Sequence, residues 1–272
     1  MINILASKFK DLDNISTEYN QTFLNAKPFP YIEFDNFFSE EYLNDILGSF
    51  PSMSEANYDH NFKNKTEVKL AINSPEKIPN KINLLIEYLN SYPFLKFLQN
   101  LTGIKEKLIP DPYLFGGGLH EIRKGGYLKI HSDFNVHPQL KLNRRLNLLL
   151  YLNKNWKEDW GGCLELWDKE MRSCGAKVSP LFNKMVIFRT TDFSFHGHPE
   201  PLMCPDNVSR KSLALYYYTN GRPLEEIDPK NGETGQTTLF QRRIGYKDEF
   251  NTNRIKFKKI FGSIYLRKKE KY

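Results

Sequence analysis

The sequence predicts a mainly β protein with flanking helices (α+β), its core a two-sheet jelly roll. Three observations predict this. From about residue 108 to 222, short apolar runs alternate with Gly, Asn, Asp and Pro clusters, about seven strands at sandwich-like spacing. Within that stretch RRLNLLLYLN (144–153) places Leu146, Leu148, Leu150 and Leu152 on one face and Asn147, Leu149 and Tyr151 on the other, the period of two of a strand. Helical patterning falls outside it, before residue 108 and in the C-terminal tail. The expected organisation is a support region over 1–107, the jelly-roll core over 108–222, and a polar, then basic, extension over 223–272.

Taken in order, Tyr31, Ile32 and Phe34 are strand formers. Ser39 is placed to cap the helix EEYLNDILGSF, whose first turn holds Glu40 and Glu41 against the positive end of the helix dipole. Residues 51–80 are polar and proline-bearing, which predicts loop with one short strand. Residues 81–102 read as helix interrupted at Pro93. The core strands are LHEI (119–122) and YLKI (127–130) around the Gly125-Gly126 turn, then 144–153, CLELW (163–167), MVIF (185–188) and SLALYYYT (212–219).

Composition excludes several classes. With 20 Phe, 15 Tyr and 3 Trp, the chain can bury enough surface to fold, so disorder is excluded. Three cysteines, Cys163, Cys174 and Cys204, form no C-x-x-C pair and no disulfide framework, which points to reduced thiols in a cytoplasm. The first residues, MINILASKFKDLDN, lack the apolar stretch of a signal peptide. No segment reaches the roughly 18 apolar residues of a membrane helix. The net charge of +7 lies in the tail: residues 254–272 hold eight Lys or Arg and one Glu, so residues 1–253 sum to zero. A neutral body argues against a nucleic-acid binder. In the tail, Phe257, Ile260, Phe261 and Ile264 predict a docked helix with a lysine-rich outer face, interrupted near Gly262-Ser263; that basic surface is suited to an anionic partner or lipid. The Gly116-Gly117-Gly118 run is no phosphate loop, because Glu121 stands where G-x-G-x-x-G needs its last glycine and no Walker lysine follows.

The chemistry centres on the histidines. His131-Ser132-Asp133 at a strand end puts an imidazole and a carboxylate on one side of the chain. His196 or His198, in SFHGHPEPL, supplies a second imidazole. Two His and one carboxylate are the facial set of non-haem Fe(II) oxygenases, which leaves three coordination positions open. Fourteen residues after His196, Arg210 shares a strand face with Ser212, a guanidinium and hydroxyl suited to clamping a carboxylate, with Tyr151 as a further donor. A molecule that chelates iron at one end and carries a carboxylate at the other satisfies both features; 2-oxoglutarate is one.

Over about 113–222 the sequence resembles the 2-oxoglutarate/Fe(II)-dependent dioxygenases, prolyl 4-hydroxylase-like branch. The ordered segments GGYLKIHSD, YLNKNWKEDWGGCLELW, MVIFRTTDFSFHGHP and SRKSLALYYYT carry the resemblance, with YIEFDNFFSEEYLNDIL (31–47) similar to that branch's N-terminal strand and helix. It implies a double-stranded β-helix, cupin-like fold. It implies His131, Asp133 and His196 as Fe(II) ligands, Arg210 on the C5 carboxylate of 2-oxoglutarate, and Tyr151 as a donor to it. Lys211, beside Arg210, is the other basic residue near that anchor. His198 falls where the branch usually has an apolar residue. The implied reaction uses O2 to hydroxylate an unactivated C–H, releasing succinate and CO2, with ascorbate as reductant. The implied substrate is peptidyl or free proline, the alternatives being another amino acid or a small metabolite. Tyr216 stands where the nucleic-acid demethylases of the superfamily have an additional Arg, so no nucleic-acid partner is expected. The competing class is a non-catalytic jelly-roll module that binds metal or ligand.

Overall fold

In the computed structural model, residues 3–54, 57–229 and 235–250 are described. The basic tail and its expected helix lie outside them. In chain order the elements are α1 (Leu12–Asn25), β1 (Tyr31–Asp35), α2 (Glu40–Gly48), β2 (His60–Lys63), β3 (Glu67–Ile72), α3 (Asn80–Leu89) and α4 (Tyr92–Thr102). There follow β4 (Ile109–Pro110), β5 (Gly118–Arg123), β6 (Tyr127–Ser132), β7 (Asn143–Tyr151), β8 (Leu164–Trp167), β9 (Cys174–Val178), β10 (Lys184–Arg189), β11 (Phe195–His198), β12 (Ser209–Thr219) and β13 (Leu239–Phe240). Among the described residues, no helix is long and apolar enough to cross a membrane.

The strands pair antiparallel in the order β1-β10-β7-β12-β5-β3-β6-β11-β8-β9, with β2 on β3, β4 on β12 and β13 on β6. The path curls into a jelly roll, one wall led by β7 and β12, the other by β6, β11 and β8. The alternation in β7 shows why. Leu146, Leu148 and Leu150, with Met185, Ile187, Leu213 and Leu215 of its neighbours, form the outer face and pack into the same core as the helices. On the inner face Tyr151 packs with Leu164, Leu166 and Val178 of the opposite wall and with Val186 and Phe188 beside it. Side chains on alternate sides thus bury both faces of one strand.

Nine strands, β4 to β12, fall within 108–222, where about seven were expected, and the sheet as a whole has thirteen among the described residues. Residues 51–80 hold two strands rather than one, because β2 and β3 pair as a hairpin from His60↔Ala71 to Lys63↔Val68. Pro93 does not kink one helix: it sits in the first turn of α4, after Ser91, where its missing N–H costs nothing. α1 had no counterpart in the sequence reading. Its polar surface hides the stripe Ile15, Tyr19 and Phe23, and Asp11 caps it by accepting from Asn14 N at 3.0 Å. Ser39 caps α2 as expected, accepting from Tyr42 N at 3.3 Å.

Candidate active site

The walls enclose a cavity of about 290 Å³. β6 brings His131 to its rim and Asp133 follows directly. β11 pairs with β6 so that His196 stands opposite His131, their ring centroids 4.5 Å apart. His196 and His198 both lie within β11. One ligand atom from each of His131, Asp133 and His196 lies within 4.8 Å of the others.

The hydrogen bonds behind these rings set their tautomers. His131 Nδ1 lies 2.8 Å from Lys129 O, and His196 Nδ1 2.9 Å from Ser194 O. A carbonyl only accepts, so each Nδ1 carries a proton, and in the neutral ring it is Nε2 that presents the lone pair. Both lone pairs face the carboxylate: His131 Nε2 is 3.5 Å from Asp133 Oδ1 and His196 Nε2 is 3.4 Å from Oδ2. Burial lowers the His196 pKa to about 4, Asp133 opposing it, so the ring is neutral near pH 7. Burial also pushes Asp133 up, but Arg144 and the two histidines outweigh it and hold the carboxyl well below its ordinary value. Two imidazole Nε2 atoms and one carboxylate, facing one another, fit a divalent cation of the borderline kind that these ligands share.

Asp133 is itself held. Asn147 Nδ2 donates to its Oδ2 at 2.8 Å, and Arg144 Nη2 lies 2.9 Å from the same atom. Arg144 is buried under Tyr216, with its guanidinium carbon 3.3 Å from the ring centroid. The sequence reading placed Asn147 on the inner face without a role, and missed Arg144. Strict alternation puts Arg144 outside with Leu146. A register shift in the β7–β12 pairing, from Tyr217↔Leu146 to Tyr218↔Arg144, inserts one residue and turns Arg144 inward.

Arg210 and Ser212, of β12, line the same cavity. Arg210 Nε donates to Gly162 O at 2.9 Å and its Nη2 to the Tyr151 hydroxyl at 3.1 Å. Gly162 has φ +77°, and a Cβ there would meet Arg210 Cδ at 3.1 Å and Leu202 Cδ2 at 2.6 Å, so the arginine's seat requires glycine. Tyr151 is fully buried behind Arg210 and does not itself line the cavity; from there it orients the guanidinium. Phe62 and Lys69 from the β2–β3 hairpin and Thr238 and Phe240 from the region after 223 complete the walls. Lys211 turns away, its Nζ donating to Ser209 Oγ.

Residues 117–218 match the family described as the 2OG-Fe(II) oxygenase superfamily. A mouse protein named prolyl 3-hydroxylase OGFOD1 is 33% identical over 79 residues, 28% of this chain and 14% of that protein. An Ostreococcus tauri prolyl 3,4-dihydroxylase OGFOD1 is 24% identical over 219 residues, 74% of this chain and 40% of that protein. The chain thus spans less than half the length of these curated relatives. A prolyl 4-hydroxylase structure from Phytophthora capsici superposes with a TM-score of 0.54 at 22% identity, covering 78% of this chain and 65% of that one. A prolyl hydroxylase from Trichoplax adhaerens, in complex with a hypoxia inducible factor peptide fragment, superposes with a TM-score of 0.53 at 17% identity, covering 78% and 92%. These structures share the fold.

Proposed function

We propose, from the match of residues 117–218 to the 2OG-Fe(II) oxygenase superfamily, that this chain is a 2-oxoglutarate- and Fe(II)-dependent hydroxylase of an unactivated C–H, prolyl 4-hydroxylase-like. The observation that carries the reading is the convergence of two imidazole lone pairs on Asp133 in a cavity that also holds buried Arg210. His131, Asp133 and His196 would hold Fe(II). Arg210 and Ser212 would bind the far carboxylate of 2-oxoglutarate, with Tyr151 fixing the guanidinium. When bound, iron and 2-oxoglutarate supply the oxidative chemistry, consuming O2 and releasing succinate and CO2 as the substrate is hydroxylated; ascorbate serves as reductant.

The chain's own residues bind, orient and shield. Asn147 and Arg144 keep Asp133 ionised and aimed. Phe188 meets the His196 ring in an edge arrangement and Phe240 lies tilted against the His131 ring, with centroids 4.7 and 5.4 Å away, and both shield the imidazoles from water. A prolyl residue, in a peptide or free, is the substrate supported by the names of the relatives, and a peptide by the complex of the Trichoplax protein. The division into a support region, core and extension, and a cytoplasmic setting with reduced thiols, belong to the same reading.

The test needs no substrate. Fe(II) and then 2-oxoglutarate are added anaerobically to purified protein, and the visible charge-transfer band is recorded. Wild type should develop the band, His131→Ala should lack it, and Arg210→Ala should need more 2-oxoglutarate to reach it. Folded, iron-loaded wild type without a band would overturn the reading in favour of a binding module. Coupled succinate release with proline peptides and with free proline then separates the substrates.

A further inference from the structure

His198 lines the cavity two residues beyond His196 on β11. It is 3% exposed, and neither ring nitrogen has a hydrogen-bond partner among the described residues. That contrasts with His131 and His196, whose Nδ1 atoms are both satisfied by backbone carbonyls. It also lies outside the three-residue cluster that can hold a metal. A buried imidazole with both polar atoms unsatisfied is costly unless a ligand completes it.

The register says where along the cavity it stands. β11 runs antiparallel to β8, with His196↔Leu166 and Gly197↔Glu165. Moving from His196 to His198 therefore follows β8 back toward Leu164 and Gly162, and Gly162 O is the acceptor for Arg210 Nε. Two residues of strand carry His198 about 6.8 Å from His196 toward the arginine, the reach of a five-carbon dicarboxylate. β11 passes close to β6 there, across a register shift from His196↔His131 to His198↔Leu128: a Cβ on Gly197 would lie 2.7 Å from Leu128 O.

We propose that His198 is a second anchor for 2-oxoglutarate, donating a ring N–H to its distal carboxylate from the wall opposite Arg210. The inference rests on the function proposed above and extends its cosubstrate site to a residue beyond the Arg210–Ser212 clamp. A neutral imidazole supplies a directional donor beside the arginine without adding another positive charge to Lys69, Arg144 and Arg210, which already line the cavity.

The experiment measures ligand binding, not turnover. Anaerobic Fe(II)-loaded wild type, His198→Val and His198→Gln are titrated with 2-oxoglutarate and, in parallel, with pyruvate, which has the same 2-oxo acid head but no distal carboxylate. His198→Val should bind 2-oxoglutarate about tenfold or more weakly, the loss expected for one hydrogen bond to a charged group, while its pyruvate affinity stays at the wild-type value. His198→Gln, which keeps a donor, should recover part of the loss. Unchanged 2-oxoglutarate affinity in His198→Val, or an equal loss for both ligands, overturns the inference alone. Wild type that binds neither ligand overturns it together with the proposed function.

Discussion

Asn147 Nδ2 donates to Asp133 Oδ2 over 2.8 Å while its Oδ1 accepts from Arg144 Nε over 2.8 Å. One neutral amide thus ties the carboxylate of the triad to the only arginine that contacts it among the described residues. Asn147→Ala removes both bonds without changing charge. Its affinity for Fe(II) or Mn(II) should fall about tenfold, the usual size of an effect on a metal site from a residue that orients a ligand. Metal titration with unchanged circular dichroism checks it; wild-type affinity would show that Arg144 alone suffices.

Glu226 is buried among arginines. Its carboxylate lies 3.1 Å from Arg145 Nε, 3.6 Å from Arg222 Nη2 and 4.0 Å from Arg189 Nε. Asp192 and Glu106 partly share the burden, at 3.2 Å from Arg222 and 3.1 Å from Arg145. Glu226→Gln leaves buried guanidinium charge uncompensated and should cost about 3 kcal/mol of stability. Urea denaturation measures it, and a cost below about 1 kcal/mol would mean that Asp192 and Glu106 carry the network.

Phe37 follows β1 and packs on Phe9, Phe34, Phe94 and Phe97, with ring centroids 4.7 to 6.4 Å away. It joins the N-terminal segment to α4 across the outer face of the sheet. Phe37→Ala should lose about 3–5 kcal/mol through lost burial and the cavity left behind. The same denaturation assay decides; a small loss would show that the neighbouring rings collapse into the space.

Asp59, just before β2, gives a pH-dependent prediction. Its Oδ2 accepts from Asn73 N and Ser74 N, each at 2.8 Å, and Lys77 pairs with its Oδ1. Burial raises its pKa, but the Lys77 and backbone bonds outweigh this and lower it to about 2. A carboxylate with a depressed folded pKa stabilises above its unfolded value near 3.8, and that stability is lost as pH falls through about 2. Asp59→Asn should therefore be less stable than wild type at about pH 5, with the gap narrowing toward about pH 2.5 in urea midpoints. A gap independent of pH would assign the effect to packing of the β2–β3 hairpin.

The β core was legible because its strands obey local rules. The alternation of Leu146 to Leu152 against Asn147, Leu149 and Tyr151 follows from strand geometry alone, and the helices cover the face it marked. α1 was not legible, since a polar helix with a narrow apolar stripe is stabilised by the surface it meets rather than by its own composition. Of the β2–β3 hairpin one strand was expected and its partner was not: β2 is largely exposed and pairs with β3, which β5 and β6 order in turn.

By itself the sequence determined the residue types of the site, the ordered segments around His131, Asp133, His196 and Arg210, and the balance of charge between body and tail. Those depend on chemistry and on spacing within single strands. Only the tertiary structure decided which histidine pairs with His131, that Tyr151 stands behind Arg210, that a register shift turns Arg144 inward, and that His198 faces the cavity with both nitrogens free of partners among the described residues. Each depends on register between strands distant in sequence, where a shift of one residue exchanges the two faces of a strand, and no local pattern encodes it.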